Sequence, residues 1–300
     1  MPLGAEELDV AAVQFEVTEE TYADTAAFEK RVSAVLETSA DAGADLVVFP
    51  EYLNVFLLFD DYSQVVARSS SIEEALSRLT DGDEASLEAL LRREIRTTGA
   101  RIMKLWGELA RRYELHIVAG THFTLSEDTL RNRALVFGPD GRLLETQDKH
   151  YLTPFEKEEL NLEPGPIREV DTFEVAGYEV GLTICRDSYF AEWESRLGDA
   201  DLWIDLRANG EEYSQAVKKR FQAALSERVA GTPVRAGANA TLTGDYLDLL
   251  WEGPSYVVNP NGRRIAESAE VRGTSIVLFS LGRAGGPHAT QTQIVQGATK

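Results

Sequence analysis

A single cysteine, Cys185, occurs in the 300 residues, and it stands at the end of a predicted strand, Tyr178 to Ile184, ahead of the polar turn residues Arg186, Asp187 and Ser188. Strand ends are where α/β folds place their sites, so a thiol there is a candidate nucleophile, while the plainer alternative is a buried core cysteine. To attack a carbonyl or nitrile carbon the thiol must lose its proton, which requires a neighbouring base or positive charge. Four histidines are available, and His122 or His150 would be conceivable partners, although neither sits in a recognisable setting. A carboxylate is the other route. Glu51 ends the run Asp45 to Pro50 as Cys185 ends its own strand, and an acid abutting a hydrophobic layer has its pKa raised toward neutrality, where it serves as a base. The alternative is a surface glutamate on a loop. Lys149, one of seven lysines, follows a hairpin strand in the segment Gln147 to Glu156. A cation near the thiol would favour the thiolate and neutralise an oxyanion, and the alternative is a solvated lysine.

The elements that would carry these residues follow from hydrophobic periodicity. Leu8 to Phe15 and Asp45 to Phe49 read as strands, the second a short apolar run of the kind buried on both faces. Between them, Phe28, Val32, Val35 and Leu36 lie at helical spacing over Tyr22 to Ala42, with Gly43 as the expected C-terminal cap. From Ser63 to Tyr113 the composition and spacing predict two or three helices, interrupted around Thr80 to Asp83 and Thr97 to Gly99. Further strands are predicted at His116 to Gly120, Arg133 to Phe137, Arg142 to Thr146, Thr172 to Val175, Leu202 to Leu206, Val234 to Ala238, Ser255 to Asn259 and Arg263 to Ala266. The turn Gly138-Pro-Asp-Gly141 joins one antiparallel pair, and Ala216 to Val229 reads as a helix. Helices and strand hairpins alternate without a linker, which predicts one α/β or α+β domain. The domain is expected over residues 1–282, with a polar tail over 283–300, either mobile or an arm on a partner subunit.

Composition narrows the function. Fifty acidic against 30 basic residues give a formal net charge of −20, which repels phosphate backbones and anionic lipid, so neither nucleic acid nor membrane is an expected partner. A strongly acidic surface with few lysines suits a salt-rich setting or an ordinary acidic cytosolic protein equally. The longest apolar stretches fall short of a transmembrane span, and Met1 to Val10 lacks a signal pattern, so a cytoplasmic protein is expected. One cysteine forms no internal disulfide and no zinc cluster.

Three segments, Val47-Val-Phe-Pro-Glu51, Lys149 to Glu156 and Gly181-Leu-Thr-Ile-Cys-Arg-Asp187, resemble in order and spacing the signature segments of the nitrilase superfamily of carbon-nitrogen hydrolases. Gly253 to Gly262 resembles the segment that closes the second half of that fold, so the likeness runs from about Leu8 to Leu281. Amidase-type members match better than true nitrilases. The long helical insert before His116 and the Tyr151 to Gly165 segment resemble a branch of amidohydrolases sometimes fused to acetyltransferases. The resemblance implies a four-layer αββα sandwich and a homodimer or higher homo-oligomer. It also implies a triad with Glu51 as general base, Lys149 as oxyanion stabiliser and Cys185 as nucleophile. Glu156 matches the family's second glutamate, which would hold Lys149 and the leaving group, and the Arg186 amide would complete the oxyanion hole. Arg186, Tyr52, Asn54 and Tyr189 flank the motifs as candidate substrate contacts, with Arg186 suited to a carboxylate. Two departures, Tyr189-Phe-Ala-Glu192 after the cysteine and Ser226-Glu-Arg-Val229 in the neighbouring helix, leave the substrate open. No metal or organic cofactor is expected. The implied reaction is hydrolysis of a small amide to carboxylate and ammonia through a thioester. A carbamoyl or nitrile hydrolase, an acyl transferase, a silent binding member and a redox-sensing thiol protein are the alternatives.

Overall fold

In a computed structural model, residues 7–80, 84–283 and 285–294 are described. The chain forms strands β1 (Glu7–Val17), β2 (Leu46–Phe49), β3 (His116–Ser126), β4 (Thr129–Phe137), β5 (Leu143–Asp148), β6 (Phe173–Val175) and β7 (Tyr178–Ile184). These are followed by β8 (Leu202–Ala208), β9 (Ala236–Tyr246), β10 (Leu249–Trp251), β11 (Tyr256–Val258), β12 (Arg264–Glu267), β13 (Ser275–Gly282) and β14 (Pro287–Ile294). Helices are α1 (Thr25–Asp41), α2 (Ser63–Val66), α3 (Ile72–Thr80), α4 (Glu84–Tyr113), α5 (Pro154–Glu158), α6 (Glu194–Leu197), α7 (Gln215–Phe221) and α8 (Glu227–Ala230).

The strands make two half-sheets joined at β1 and β9. One half runs β5-β4-β3-β2-β1, and β13 then β14 continue it on the far side of β1. The other runs β9-β8-β7-β6, with β11 and β12 added beyond β9. Residues Gln14 to Val17 of β1 pair in parallel with Thr241 to Gly244 of β9 and carry the hydrogen bonding from one half to the other. Side-chain alternation explains the layering. Val10 and Ala12, Leu46 and Val48, and Val118 point inward to meet Leu182, Ile184, Ile204 and Ala238 of the other half. Their neighbours Ala11, Val13, Val47, Phe49 and Ile117 point outward and are covered by α1 and α4 through Phe28, Val32, Trp106 and Leu109. Trp203 points outward from the second half and is covered by Trp193, Leu197, Leu225 and Val229. A period of two on these central strands therefore separates one sheet-on-sheet interior from two helix-on-sheet interiors, which is the four-layer αββα sandwich.

Several boundaries differ from expectation. Of the interruption expected around Thr80 to Asp83, residues 81–83 lie outside the described residues, while α4 runs unbroken through Thr97 to Gly99, where a second interruption was expected. The helix expected over Ala216 to Val229 is divided by a π-turn at Gln222–Ser226, where Ala224 leaves helical geometry. The polar tail expected from 283 is corrected in part: Pro287–Ile294 is a strand, because its backbone pairs antiparallel with β13 from Leu281 to Ser275. An edge strand needs hydrogen-bonding backbone more than apolar side chains, so its Thr and Gln content concealed it. Residues 295–300 of that tail lie outside the described residues.

Trp106 is fully buried between Phe28 and Phe49, and its indole nitrogen donates to Asn54 Oδ1 at 2.7 Å. Trp106→Ala is expected to lower unfolding free energy by about 3–5 kcal/mol, measured by urea denaturation.

Candidate active site

The three signature segments converge because each follows a strand at the same end of the sandwich. Pro50 ends β2 and puts Glu51 in a turn, Lys149 follows β5, and Cys185 follows β7. Glu51, Lys149 and Glu156 are at most 1% exposed. Lys149 Nζ donates to Glu51 Oε1 at 2.7 Å and lies 2.8 Å from Glu156 Oε2, so one ammonium is shared by two carboxylates. Glu156 is fixed by its own helix start: Thr153 caps α5, its hydroxyl accepting from the Glu156 amide at 3.2 Å while Glu156 Oε2 accepts from the Thr153 amide at 2.8 Å.

Asn132, in the middle of β4, was not singled out by the sequence, yet its Nδ2 donates to both Glu51 Oε1 and Glu156 Oε1 at 3.0 Å. Tyr52 OH donates to Glu156 Oε1 at 2.7 Å. Asn132 stands between Arg131 and Arg133 in β4, so no local signal in the sequence separates it from its neighbours.

Cys185 opens a short 3₁₀ turn with φ of 52°, the left-handed region that a residue with a Cβ enters only when its surroundings hold it there. Those surroundings are polar and buried. Ser188 Oγ donates to the Cys185 carbonyl at 2.8 Å and to Asp205 Oδ2 at 3.2 Å. Arg207, also buried, donates to Ser188 Oγ at 2.9 Å, pairs with Asp205 and lies over the Phe221 ring at 4.3 Å. Asp187 accepts the amides of His150 and Tyr151, at 3.2 and 2.7 Å, so the cysteine turn is tied directly to the segment that carries Lys149.

Electrostatics separate the acid from the thiol. Burial, reinforced by the charge of Glu156 and opposed by Lys149, pushes Glu51 up to about 7. Burial and then the Glu51 charge push the Cys185 thiol up to about 12, against the positive charges of Lys149 and Arg207. Burial alone would lower the Lys149 pKa, but Glu51 and Glu156 outweigh it and hold the ammonium charged. Burial would likewise raise Glu156, and Lys149 instead holds it below the usual carboxylate range. The resting thiol is therefore protonated and opens on the same cavity as a carboxylate that titrates near neutrality.

Glu51, Lys149 and Cys185 open on one cavity of about 510 Å³, bounded largely by apolar side chains. Of the four candidate substrate contacts, Tyr52 lines it. The other three are not among the residues lining it. The Arg186 guanidinium donates to the Leu152 carbonyl at 2.7 Å and is taken up in joining two loops. Asn54 is fully buried, donating to the Ala119 carbonyl and accepting from Trp106. The Tyr189 hydroxyl accepts from Arg207 at 3.2 Å. The alternative histidine partners fall away as well. Burial and then Arg133 push His122 down to about 4, and His150 Nδ1 meets the Gly165 carbonyl, with neither ring bordering the cavity. The departing segment after the cysteine has its own packing, with Phe190 stacked on Tyr151 and Glu192 accepting from the Tyr151 hydroxyl. Among the described residues no group of His, Cys, Asp and Glu is arranged to hold a metal ion, and no helix is long and apolar enough to cross a membrane.

Comparison with known proteins agrees with this fold. Residues 9–286 match the family model described as carbon-nitrogen hydrolase. A probable hydrolase of Bacillus subtilis, YhcX, is 28% identical over 165 residues, which are 55% of this chain and 27% of that protein, so the match spans about a quarter of the relative's length. Among solved structures, Saccharomyces cerevisiae Nit3, a member of branch 10 of the nitrilase superfamily, superposes with a TM-score of 0.67 at 20% identity, covering 93% of this chain and 92% of the other. An amidase from Nesterenkonia sp. AN1, described with acrylamide added at its active site cysteine, gives 0.63 at 17% identity, covering 91% and 92%. A Helicobacter pylori carbon-nitrogen hydrolase gives 0.66 at 16% identity, covering 92% and 89%.

Removing Glu156 would leave the Tyr52 hydroxyl, the Thr153 amide and half of the Lys149 charge without their acceptor. Glu156→Ala is expected to destabilise the fold by about 3 kcal/mol or more, read by chemical denaturation.

Proposed function

The chain belongs to the carbon-nitrogen hydrolase family of the nitrilase superfamily, and from that premise we propose that it cleaves an amide through a thioester on Cys185, with Glu51, Lys149 and Cys185 as its triad. The observation that carries this reading is the arrangement about Lys149: an ammonium held charged by two buried carboxylates, at the wall of the cavity onto which the cysteine opens. The Nesterenkonia amidase, with its active site cysteine, supports an amide as the substrate class.

Ionised Glu51 takes the Cys185 proton as sulfur attacks the amide carbon, forming the carbon–sulfur bond and moving the carbonyl pair onto oxygen. Lys149 Nζ and the Arg186 backbone N–H hold that oxyanion. The tetrahedral intermediate collapses, the carbon–nitrogen bond breaks, and protonated Glu51 gives its proton to the departing ammonia or amine. A water molecule then enters, Glu51 takes its proton as the oxygen attacks the thioester carbon, the carbon–sulfur bond breaks, and Glu51 returns the proton to sulfur, which restores the thiol and releases the acid. A single carboxylate serves both halves because at about 7 it accepts and donates at the same pH. Glu156 acts as a positioning residue for Lys149.

Cys185→Ala is expected to abolish ammonia release, and Lys149→Ala to lower kcat by about 100-fold or more in a steady-state assay. Because Glu51 works ionised, kcat/KM should fall as pH drops through about 7, approaching tenfold per pH unit on the acid side, since protonated Glu51 accepts nothing. Persistence of that acid limb unchanged in Glu51→Gln would assign it to another group.

A further inference from the structure

The cavity at Cys185 extends well beyond the groups the reaction uses. Val55, Leu58, Ile95, Leu130 and Leu162 form one continuous apolar wall, themselves buried to 9% exposure or less. Trp251 on β10 borders the cavity from another side, and Phe155, half exposed, also lines it. Protein interiors are close-packed, so a space of about 510 Å³ with such walls, open to a nucleophile, is room for a ligand rather than a packing defect.

The charges around it limit what that ligand is. Among the described residues lining the cavity, the one cation is Lys149, whose ammonium is already shared by Glu51 and Glu156. Asp248 is the one carboxylate there besides Glu51; it is exposed, and its Oδ1 accepts the Ile72 amide at the start of α3. Arg186, which would have suited a carboxylate, is bonded to Leu152. An ω-amide of a dicarboxylic acid or an N-carbamoyl amino acid would have to bury its carboxylate here without a partner. An alkyl or aryl chain would lose water against leucine, isoleucine and phenylalanine.

We propose that this cavity is an acyl pocket and that the substrate is the amide of an apolar carboxylic acid of hexanoyl size or larger, uncharged along its chain. The inference rests on the amide-hydrolase reading and adds the substrate class. The acyl chain lies along the wall of Val55, Ile95 and Leu130 while its amide carbon faces Cys185.

The test is a series of primary amides, from acetamide through butyramide and hexanamide to octanamide with phenylacetamide, set against the monoamides of succinate and glutarate. With the wild-type protein, kcat/KM is expected to rise about threefold to fourfold per methylene up to hexanamide, and the anionic monoamides to fall below butyramide. Ile95→Trp and Leu130→Trp, checked for native circular dichroism, are each expected to lower the hexanamide-to-acetamide ratio of kcat/KM by about tenfold or more. Binding is read separately in Cys185→Ala, by calorimetry and by the fluorescence of Trp251, and hexanamide should bind more tightly than acetamide. Hydrolysis that is flat with chain length, or fastest for the anionic monoamides, would overturn the acyl pocket and leave the hydrolase reading standing. Length-dependent binding to Cys185→Ala, with no amide turned over by the wild type, would keep the pocket and overturn the hydrolase reading. Ratios unmoved in both folded tryptophan variants would place the acyl chain elsewhere.

Discussion

The ammonium of Lys149, nearly inaccessible to solvent between Glu51 and Glu156, is the interaction around which the rest of the molecule is arranged. An isolated buried charge costs several kcal/mol, and a pair is tolerable only when the remaining lone pairs and protons are also satisfied. Here that satisfaction comes from far along the chain: Asn132 on β4, Tyr52 after β2 and the Thr153 amide at the start of α5. Two carboxylates facing one ammonium leave a surplus of negative charge when both are ionised. Burial resolves the surplus by raising Glu51, and the site thereby acquires a group that exchanges a proton near neutral pH. The acid–base behaviour follows from the way the cluster is made stable.

The cysteine is positioned by a second buried network that shares no side chain with the first. Asp205, Arg207 and Ser188 brace the carbonyl of a residue in left-handed geometry, and the stacking of Arg207 on Phe221 fixes the guanidinium from the helix side. Asp187 then couples the two networks through backbone amides of the lysine segment. Burial pushes Asp187 up to about 8 even though these amide donors favour its ionised form. The relative placement of sulfur and ammonium thus depends on a side chain that touches neither.

Much of this was legible in the sequence where the information is local. Apolar runs ended by Pro50 or by a polar turn marked the strands, the positions just after them made Glu51, Lys149 and Cys185 candidates, and the resemblance of the three segments to known signatures joined them. Asn132 was not legible, because its partner Glu51 is 81 residues away and nothing in its own strand announces a polar role. Asp205 and Arg207 were hidden in the same way, two charges inside a strand that reads as apolar. Adjacency to the nucleophile suggested Arg186 as a substrate contact, and sequence did not display that its guanidinium donates to the Leu152 carbonyl. The apolar cavity wall assembles from segments spread between Val55 and Trp251, so no one stretch of sequence displays it.

The pairing of β1 with β13 carries a consequence for how the chain acquires its structure. Residues Glu7 to Gln14 take Gly282 to Ser275 as partners, and Gln14 to Val17 take Thr241 to Gly244. The strand that joins the two half-sheets precedes the other described strands, but two of its neighbours, β9 and β13, lie more than two hundred residues further along the chain. Before those strands pair, β1 has β2 alone as a strand neighbour from the early chain, and its inward face waits for the second half-sheet. High sequence separation makes such closure slow, and an unpaired strand edge during that interval is open to other chains. Closure of the joined sheets therefore waits on distant strands, and β13 is the segment that covers the remaining edge of β1.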